Sequence, residues 1–397
     1  MKIALLSFEY PPETGFGGIG TYTWYHARAL VRLGHEVHVL AGATAATPLR
    51  TSEHDGVVVH RYQASGLYMR AVRGLGVARL WWTRQRLENA LSMFRGMRAL
   101  MRAHRFDVVE MPECGAEGAW LNSRTDVPTV VRLHSPSQLI MPFYDVTPLD
   151  TTLCSWLERR AIQSGTLLTA CSQFLADAAA SELDLARSAQ VIPNGLDLAL
   201  FDRAASEGRC ELDLPRDRLT ILFAGRMERR KGIHLCPEIA ASILERYDVS
   251  FVFAGRDLFH FVDETLRPYL AARTLKGSVH FAGHLALDEM RALVCRADIF
   301  LLPSLWENCP YSCLEAMAAG RAIVSSDQGG MPELIRRDEN GLLAPSGDAH
   351  AFTRQIERLI EDHAMRRRLG QAARRSVEES FTADRVARLS VDVYRGQ

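Results

Sequence analysis

Short β-branched runs alternate with helical patterns along nearly the whole chain, and that alternation limits the fold more than any other feature. Strand candidates fall at Ile3–Phe8, Glu36–Ala41, Val57–Tyr62, Val108–Met111, Thr129–Leu133, Leu167–Ala170 and Gln190–Ile192. They continue at Thr220–Ala224, Ser250–Ala254, Val279–Ala282, Ile299–Leu302 and Ala322–Ser325. Strands spaced by helix-length segments pair in parallel through crossover helices. At 397 residues the chain exceeds one ordinary core, so two α/β domains are expected. The polar, irregular stretch Ser206–Arg218, "SEGRCELDLPRDR", lies near the middle and is the expected linker. Each half then holds a doubly wound sheet that binds ligands at the carboxyl ends of its strands.

Composition narrows the class. Apolar content of 47% and charged content of 24% describe a globular protein. The 47 basic residues balance 47 acidic ones, so no net charge draws the chain to nucleic acid. No run approaches the roughly 18 apolar residues of a membrane helix. The opening "KIALLSF" leads into Glu9 and Pro11–Pro12 rather than a small-residue cleavage site, so it does not read as a secretory leader. Eight scattered cysteines form no C-x-x-C and no zinc spacing, which points to reduced thiols and a cytoplasmic location. No D-x-D occurs to hold a metal through carboxylates, and no metal or other cofactor is expected.

One segment breaks the even charge balance. From Arg61 to Arg105 the chain carries Arg61, Arg70, Arg73, Arg79, Arg84, Arg86, Arg95, Arg98, Arg102 and Arg105 against the single acid Glu88. Leu80, Trp81, Trp82, Leu87, Leu91 and Phe94 are interleaved with them. Two readings stand: a surface helix with its apolar side on the core, or a weak peripheral contact with the inner face of an anionic membrane.

Near the start, "ETGFGGIG" (Glu13–Gly20) contains G-x-G-x-x-G. Dinucleotide folds need that motif directly after a strand, with an acid on the next strand for the ribose. Here "EYPPET" intervenes, and the next strand ends in Ala41–Gly42–Ala43–Thr44 without an acid. What remains is glycines before a helix over Thr21–Leu33, closed by Gly34: either a surface loop or backbone amides open to an anion.

The second half carries more chemistry. "TILFAGRMERRKGIHLC" reads as strand, basic loop and helix, and Arg226 with Lys231 suits phosphate, while Arg229 and Arg230 read as solvated. "ADIFLLPSLWENCPYSCLEAMAAG" repeats the pattern: a strand, Glu307 in the loop, Pro310 at the first helical position and a stop at Gly320. Glu315 then lies about a turn and a half inside that helix. Two carboxylates flanking a helix N-terminus suit sugar hydroxyls on either side of a bound phosphate.

With these residues in place, the chain resembles the retaining nucleotide-sugar glycosyltransferases of family four. The resemblance rests on the E-x7-E element Glu307–Glu315, on "EAMAAGRAIVSSDQGGMPELI", "ENGLLAPSGD" and "VIPNGLDLALF", and on "GRMERRKG". It implies the GT-B fold: two facing Rossmann-like domains, α/β throughout, with the active site in the cleft between them. Residues 1–205 would form the acceptor domain, with a C-terminal helix over 378–397 packing back on it, and 206–377 the donor domain. The resemblance assigns Arg226 and Lys231 to the donor diphosphate, Glu307 to the donor sugar and Glu315 to the ribose. Gly17 and Gly18 would offer amides to the phosphate, and His134, in "VVRLHSPS", would lie beside the transferred sugar. Relatives carry "E-G-F-G" where this chain has Glu307–Asn308–Cys309–Pro310, so one backbone donor is lost at Pro310 and the amides of Tyr311 and Ser312 remain. The implied reaction is metal-independent transfer of a hexose-type sugar, with retention, from a nucleoside-diphosphate sugar, a UDP-sugar ahead of GDP or ADP donors, to a hydroxyl acceptor. The rivals are an epimerase or phosphorylase on the same fold and a non-catalytic nucleotide-sugar sensor.

Overall fold

A computed structural model of the chain describes residues 1–396 except 16, 46, 75–78, 184, 186 and 216, and not the side chain of residue 67. The chain divides into two compact units, Met1–Gly195 with Ala383–Gln397, and Leu196–Thr382.

The first unit is built on eight strands: β1 (Lys2–Ser7), β2 (Glu36–Ala41), β3 (Thr47–His54), β4 (Val57–Gln63), β5 (Val108–Pro112), β6 (Thr129–Leu133), β7 (Leu167–Ala170) and β8 (Gln190–Val191). Their order is β3-β4-β2-β1-β5-β6-β7-β8. Neighbours pair in parallel except β3 with β4, which are antiparallel. β5 and β6 are buried along their whole length, as strands covered by helices on both faces must be. β3 was not expected, because "TPLRTSEH" lies mostly exposed at the sheet edge and shows no apolar alternation. Its signal was the turn: Asp55 and Gly56 both take positive φ, 53° and 76°, the backbone of a two-residue hairpin.

Helices α1 (Gly18–Arg32), α2 (Trp81–Ala103) and α3 (Pro148–Ser164) belong to this unit. The basic segment runs through α2 but is not uniformly at the surface. Arg86 is buried and paired with Glu158 of α3 at 2.9 Å. Arg61 is buried too, donating to the carbonyls of Tyr10, Pro11 and Gly42 at 3.0–3.1 Å. Arg79, Arg95, Arg98, Arg102 and Arg105 are exposed, and so is Trp81. Among the described residues no helix is long and apolar enough to cross a membrane.

The second unit carries β9 (Thr220–Ala224), β10 (Ser250–Ala254), β11 (Ser278–Gly283), β12 (Ile299–Leu302), β13 (Ala322–Ser326) and β14 (Leu342–Ala344). They form one parallel sheet in the order β11-β10-β9-β12-β13-β14. Phe223, Phe251, Phe253 and Phe352 lie at the centre of its core. Helices α4 (Leu198–Glu207), α5 (Leu287–Arg296) and α6 (Tyr311–Ala318) pack here. The expected linker is therefore misplaced: α4 lies against α5, and Arg296 donates to the carbonyls of Leu212 and Leu214 at 3.2 and 2.8 Å. The polarity there reflects the exposure of Arg209, Glu211 and Asp213, and the chain changes unit earlier, after Gly195.

The chain then returns to the first unit as α7 (Ala383–Tyr394), which lies against α1. Residues 378–380 end the preceding helix, in the second unit, so the return begins at Ala383. Tyr394 anchors it: its hydroxyl donates to Glu110 Oε2 at 2.6 Å and pairs with His26 Nε2 at 2.9 Å. Tyr22 donates to the other oxygen of Glu110 at 2.8 Å, and Arg132 stacks over the Tyr22 ring at 4.1 Å. Five buried polar side chains meet there, and the hydrogen bonds of Glu110 to Tyr22 and Tyr394 fix α7 in one register.

Candidate active site

In both sheets the strand order reverses once, between β1 and β5 in the first unit and between β9 and β12 in the second. A doubly wound sheet opens a crevice at that point, because successive helices leave on opposite faces. The loops after β9 and β12 carry the basic motif and the E-x7-E motif.

After β9 the chain makes a sharp turn through Gly225 and runs into the one-turn helix Arg229–Lys231. Gly232 ends that turn with φ 76° and presses on the β12 loop: a Cβ there would lie 1.9 Å from the carbonyl oxygen of Pro303. Leu305 N donates to the Arg230 carbonyl at 2.8 Å. These backbone contacts lock the two loops together and set their side chains against each other.

Glu307 sits in that contact, buried, and its carboxylate is paired with Lys231. Arg230 lies 3.4 Å from its second oxygen, and Ser304 Oγ donates at 3.3 Å. Burial alone would raise the Glu307 carboxyl, but the Lys231 and Arg230 cations and these hydrogen bonds hold it below the usual value. Its backbone is pinned as well. Gly330 N donates to the Glu307 carbonyl at 2.9 Å, and Gly329 (φ 66°) approaches so closely that a Cβ would lie 1.9 Å from that oxygen. The "SSDQGG" run is thus the seat of Glu307.

Arg230 is the residue misread from sequence. It is buried, donates to the Trp306 carbonyl at 3.2 Å, and bridges Glu228 at 3.0 Å to Glu307. Arg226 shares Glu228 at 3.1 Å but leaves its side chain 52% exposed, so its guanidinium is available to an incoming anion. The loops after β10 and β11 close this side: Gly255 N donates to Gly283 O at 2.7 Å, Met227 N to Arg256 O at 2.9 Å, and Arg256 meets His284 at 3.3 Å.

Pro310 precedes α6 rather than beginning it, with φ −73° and ψ 134°, and Tyr311 is the first helical residue. Its missing N–H therefore lies outside the helix, while its carbonyl accepts from Cys313 and Leu314 at 3.1 and 3.3 Å. Asn308, Cys309 and Tyr311 are buried beside it. The Ser312 amide has no acceptor among the described residues and remains open to an anion. The Glu315 carboxylate, on the same helix, has no hydrogen-bond or ion-pair partner among the described residues. Burial pushes its carboxyl up to about 7, against the pull of Arg291. Such a carboxylate gains on meeting hydroxyl donors, whereas Glu307 already has its partners.

In the first unit, Gly17 is the N-cap of α1 and Gly18 its first residue, so the helix begins earlier than Thr21. A Cβ on Gly17 would lie 2.1 Å from Glu9 Oε2, and Gly18 has open space beside it. The chain's own Glu9 carboxylate thus lies against this helix start. His134 follows β6 and is buried, with its ring edge-on to Tyr22 at 5.1 Å between centroids. Burial and then Arg132 hold its imidazole well below the ordinary histidine value, hence neutral. Its amide and that of Ser135 donate to Glu113 at 2.9 and 2.6 Å. Glu113 is fully buried, its carboxyl pushed up to about 8 by burial and by Glu158. No motif marked Glu113; its signal was only an acid directly after a buried strand.

Residues 16–200 match the sequence family described as "Glycosyltransferase Family 4", and residues 206–376 the family "Glycosyl transferases group 1". The MMP alpha-(1->4)-mannosyltransferase of Mycolicibacterium hassiacum is 28% identical over 422 residues, which span 99% of this chain and 98% of that protein. Sucrose-phosphate synthase from Thermosynechococcus elongatus shares the fold with a TM-score of 0.80 at 21% identity, over 100% of this chain and 98% of its own. HepE from Anabaena, solved in complex with UDP-glucose, gives a TM-score of 0.71 at 19% identity over 100% of both chains.

Proposed function

The chain belongs to the GT-B glycosyltransferases of the family-four type, and from that premise we propose that it transfers a hexose-type sugar from a UDP-sugar to a hydroxyl acceptor, with retention and without a metal. The observation that carries the reading is the second unit's junction of cations, helix start and two unlike carboxylates. Arg226, Lys231 and the Ser312 amide supply positive charge for a leaving diphosphate, the place a divalent cation would otherwise fill. Glu315 accepts the ribose hydroxyls. Glu307 accepts a sugar hydroxyl and orients Lys231 toward the diphosphate. The UDP-glucose complex of the HepE neighbour supports UDP as the nucleotide.

Charge develops on the diphosphate as the bond to the anomeric carbon breaks, and fixed cations act most strongly there because they need not reorganise. The departing oxygen takes the acceptor's proton on the face it leaves, so the new bond forms on that face. His134, neutral and held by its backbone to Glu113, offers a hydrogen-bonding edge to the sugar rather than a charge. Gly17 and Gly18 add backbone amides to the diphosphate.

The test is incubation with UDP-glucose and a panel of hydroxyl acceptors in excess EDTA, with products read by proton NMR. An α-linked product from the α-linked donor supports the reading. A β-linked product removes retention, and activity restored only by magnesium or manganese removes the metal-independent site. Free sugar phosphate, or an altered sugar still on UDP, would establish a phosphorylase or an epimerase instead.

A further inference from the structure

Three histidines meet on the first unit's sheet, far along the strands from the ends that carry Gly17 and His134. His38 lies early in β2, His60 on the neighbouring β4, and His104 caps the C-terminus of α2. One possible ligand atom from each lies within 4.8 Å of the others. His38 and His60 are both 3% exposed, and His104 is half-buried. Three imidazoles gathered from three separate elements are unusual for a packing core, which would use apolar side chains at the same positions.

The hydrogen bonds sort the ring nitrogens into outer and inner. His38 Nε2 is held by Glu36 Oε1 at 3.0 Å, and His60 Nδ1 by Thr51 Oγ1 at 2.9 Å. Their other nitrogens, His38 Nδ1 and His60 Nε2, face each other at 2.8 Å across one shared proton. Outer nitrogens held by a carboxylate and a hydroxyl, with inner ones converging, is the arrangement that orients histidines around a metal. Lys2 completes the surround: its ammonium pairs with Glu36 at 2.7 Å and approaches His104 Nδ1 at 3.1 Å. Glu36 neutralises that charge locally, so the cluster carries no net positive excess.

We propose that His38, His60 and His104 form a binding site for a zinc-class divalent cation that clamps β2, β4 and the end of α2. In a tetrahedral site with metal–nitrogen bonds of about 2.0–2.1 Å, ligand nitrogens stand about 3.3–3.4 Å apart. The facing nitrogens of His38 and His60 must therefore part by roughly half an ångström, and the proton between them passes to His60 Nδ1, where Thr51 Oγ1 accepts it, so that both inner nitrogens are free to ligate. Glu36, with its side chain 57% exposed, and half-buried His104 mark the way in from solvent. Water supplies the fourth ligand. The three histidines belong to the first unit's sheet, whereas the cations and carboxylates at β9 and β12 belong to the second unit.

The experiment titrates the EDTA-stripped, full-length chain with Zn2+ by calorimetry and records Co2+ absorption. Expected are one tight site per chain, a tetrahedral cobalt spectrum without a thiolate charge-transfer band, and a metal-dependent rise in Tm. His104→Ala, half-buried and so tolerated, should weaken this site by at least tenfold, and Thr51→Val by about 10–100-fold through loss of the outer hydrogen bond. Circular dichroism checks that both variants fold, and His60→Gln serves if one does not. No tight site, a thiolate cobalt spectrum, or uptake unchanged in folded His104→Ala would overturn the proposal.

Discussion

Lys231→Met should damage the second unit by leaving Glu307 buried with its charge under-compensated. Glu307 is 6% exposed, and after the substitution its carboxylate keeps only Arg230 at 3.4 Å and Ser304 at 3.3 Å. Removing one member of a buried pair costs about 3–5 kcal/mol, and the remaining cation places this case near 3 kcal/mol. In a unit of this size that lowers Tm by roughly 6–12 °C. The pH dependence carries the sign. In the wild type the Glu307 carboxyl is held below its ordinary value, so its contribution is present at neutral pH and is lost as pH falls through that lowered value. Without Lys231, burial dominates and raises the carboxyl, so the variant's deficit appears above the ordinary carboxylate range and shrinks toward acid. Thermal unfolding from pH 4 to pH 8, with Lys231→Met/Glu307→Gln as the second arm, reads both effects. The double variant should recover more than half of the loss, because no buried charge remains. A single-variant loss below about 1 kcal/mol, or a double variant no better than the single one, would refute the coupling of these residues.

Two further outcomes follow from the same geometry. Because Glu315 titrates near 7 and hydroxyl donors favour its ionised form, UDP-glucose affinity should be full above pH 8 and about tenfold weaker at pH 6, with close to one proton released on binding at pH 6; calorimetry in buffers of different ionisation enthalpy measures both, and a flat profile would leave Glu315 outside the nucleotide site. If the basic segment touches anionic membranes, the exposed Arg79, Arg95 and Arg98 carry that contact, and replacing them with Glu should abolish salt-sensitive co-sedimentation with phosphatidylserine vesicles; equal recovery of wild type and variant in the supernatant would leave an ordinary surface helix. Arg86 has no place in that test, since it is buried against Glu158.

Much of this was legible in the sequence because parallel strands are buried on both faces and so appear as unbroken apolar runs. β9, β10 and β12 stand where "TILFA", "SFVFA" and "IFLL" put them. β3 and β14 escaped, one for being an exposed edge and the other for its three residues. The site divided the same way. Arg226, Lys231, Glu307 and Glu315 sit at fixed spacing around strand ends and glycines, which a linear pattern can carry. Arg230 and Glu113 matter through partners far along the chain, Glu307 and His134, and nothing local distinguishes them from solvated neighbours. Tyr394 anchors α7 through Glu110, a contact no periodicity can announce. Pro310 was displaced by a single position, enough to move its missing N–H out of the helix.

The account rests on the two glutamates of the second unit having different tasks, and UDP binding at pH 8 measures that division directly. Glu315→Gln should weaken UDP by tenfold or more, since a hydrogen bond to a charged group is worth roughly 1.5–3 kcal/mol. Glu307→Gln should leave UDP affinity within about twofold, because Glu307 meets the sugar and not the nucleotide, while sugar transfer falls by about two orders of magnitude. Equal losses of UDP affinity in both variants, or a fully active Glu307→Gln, would contradict the account.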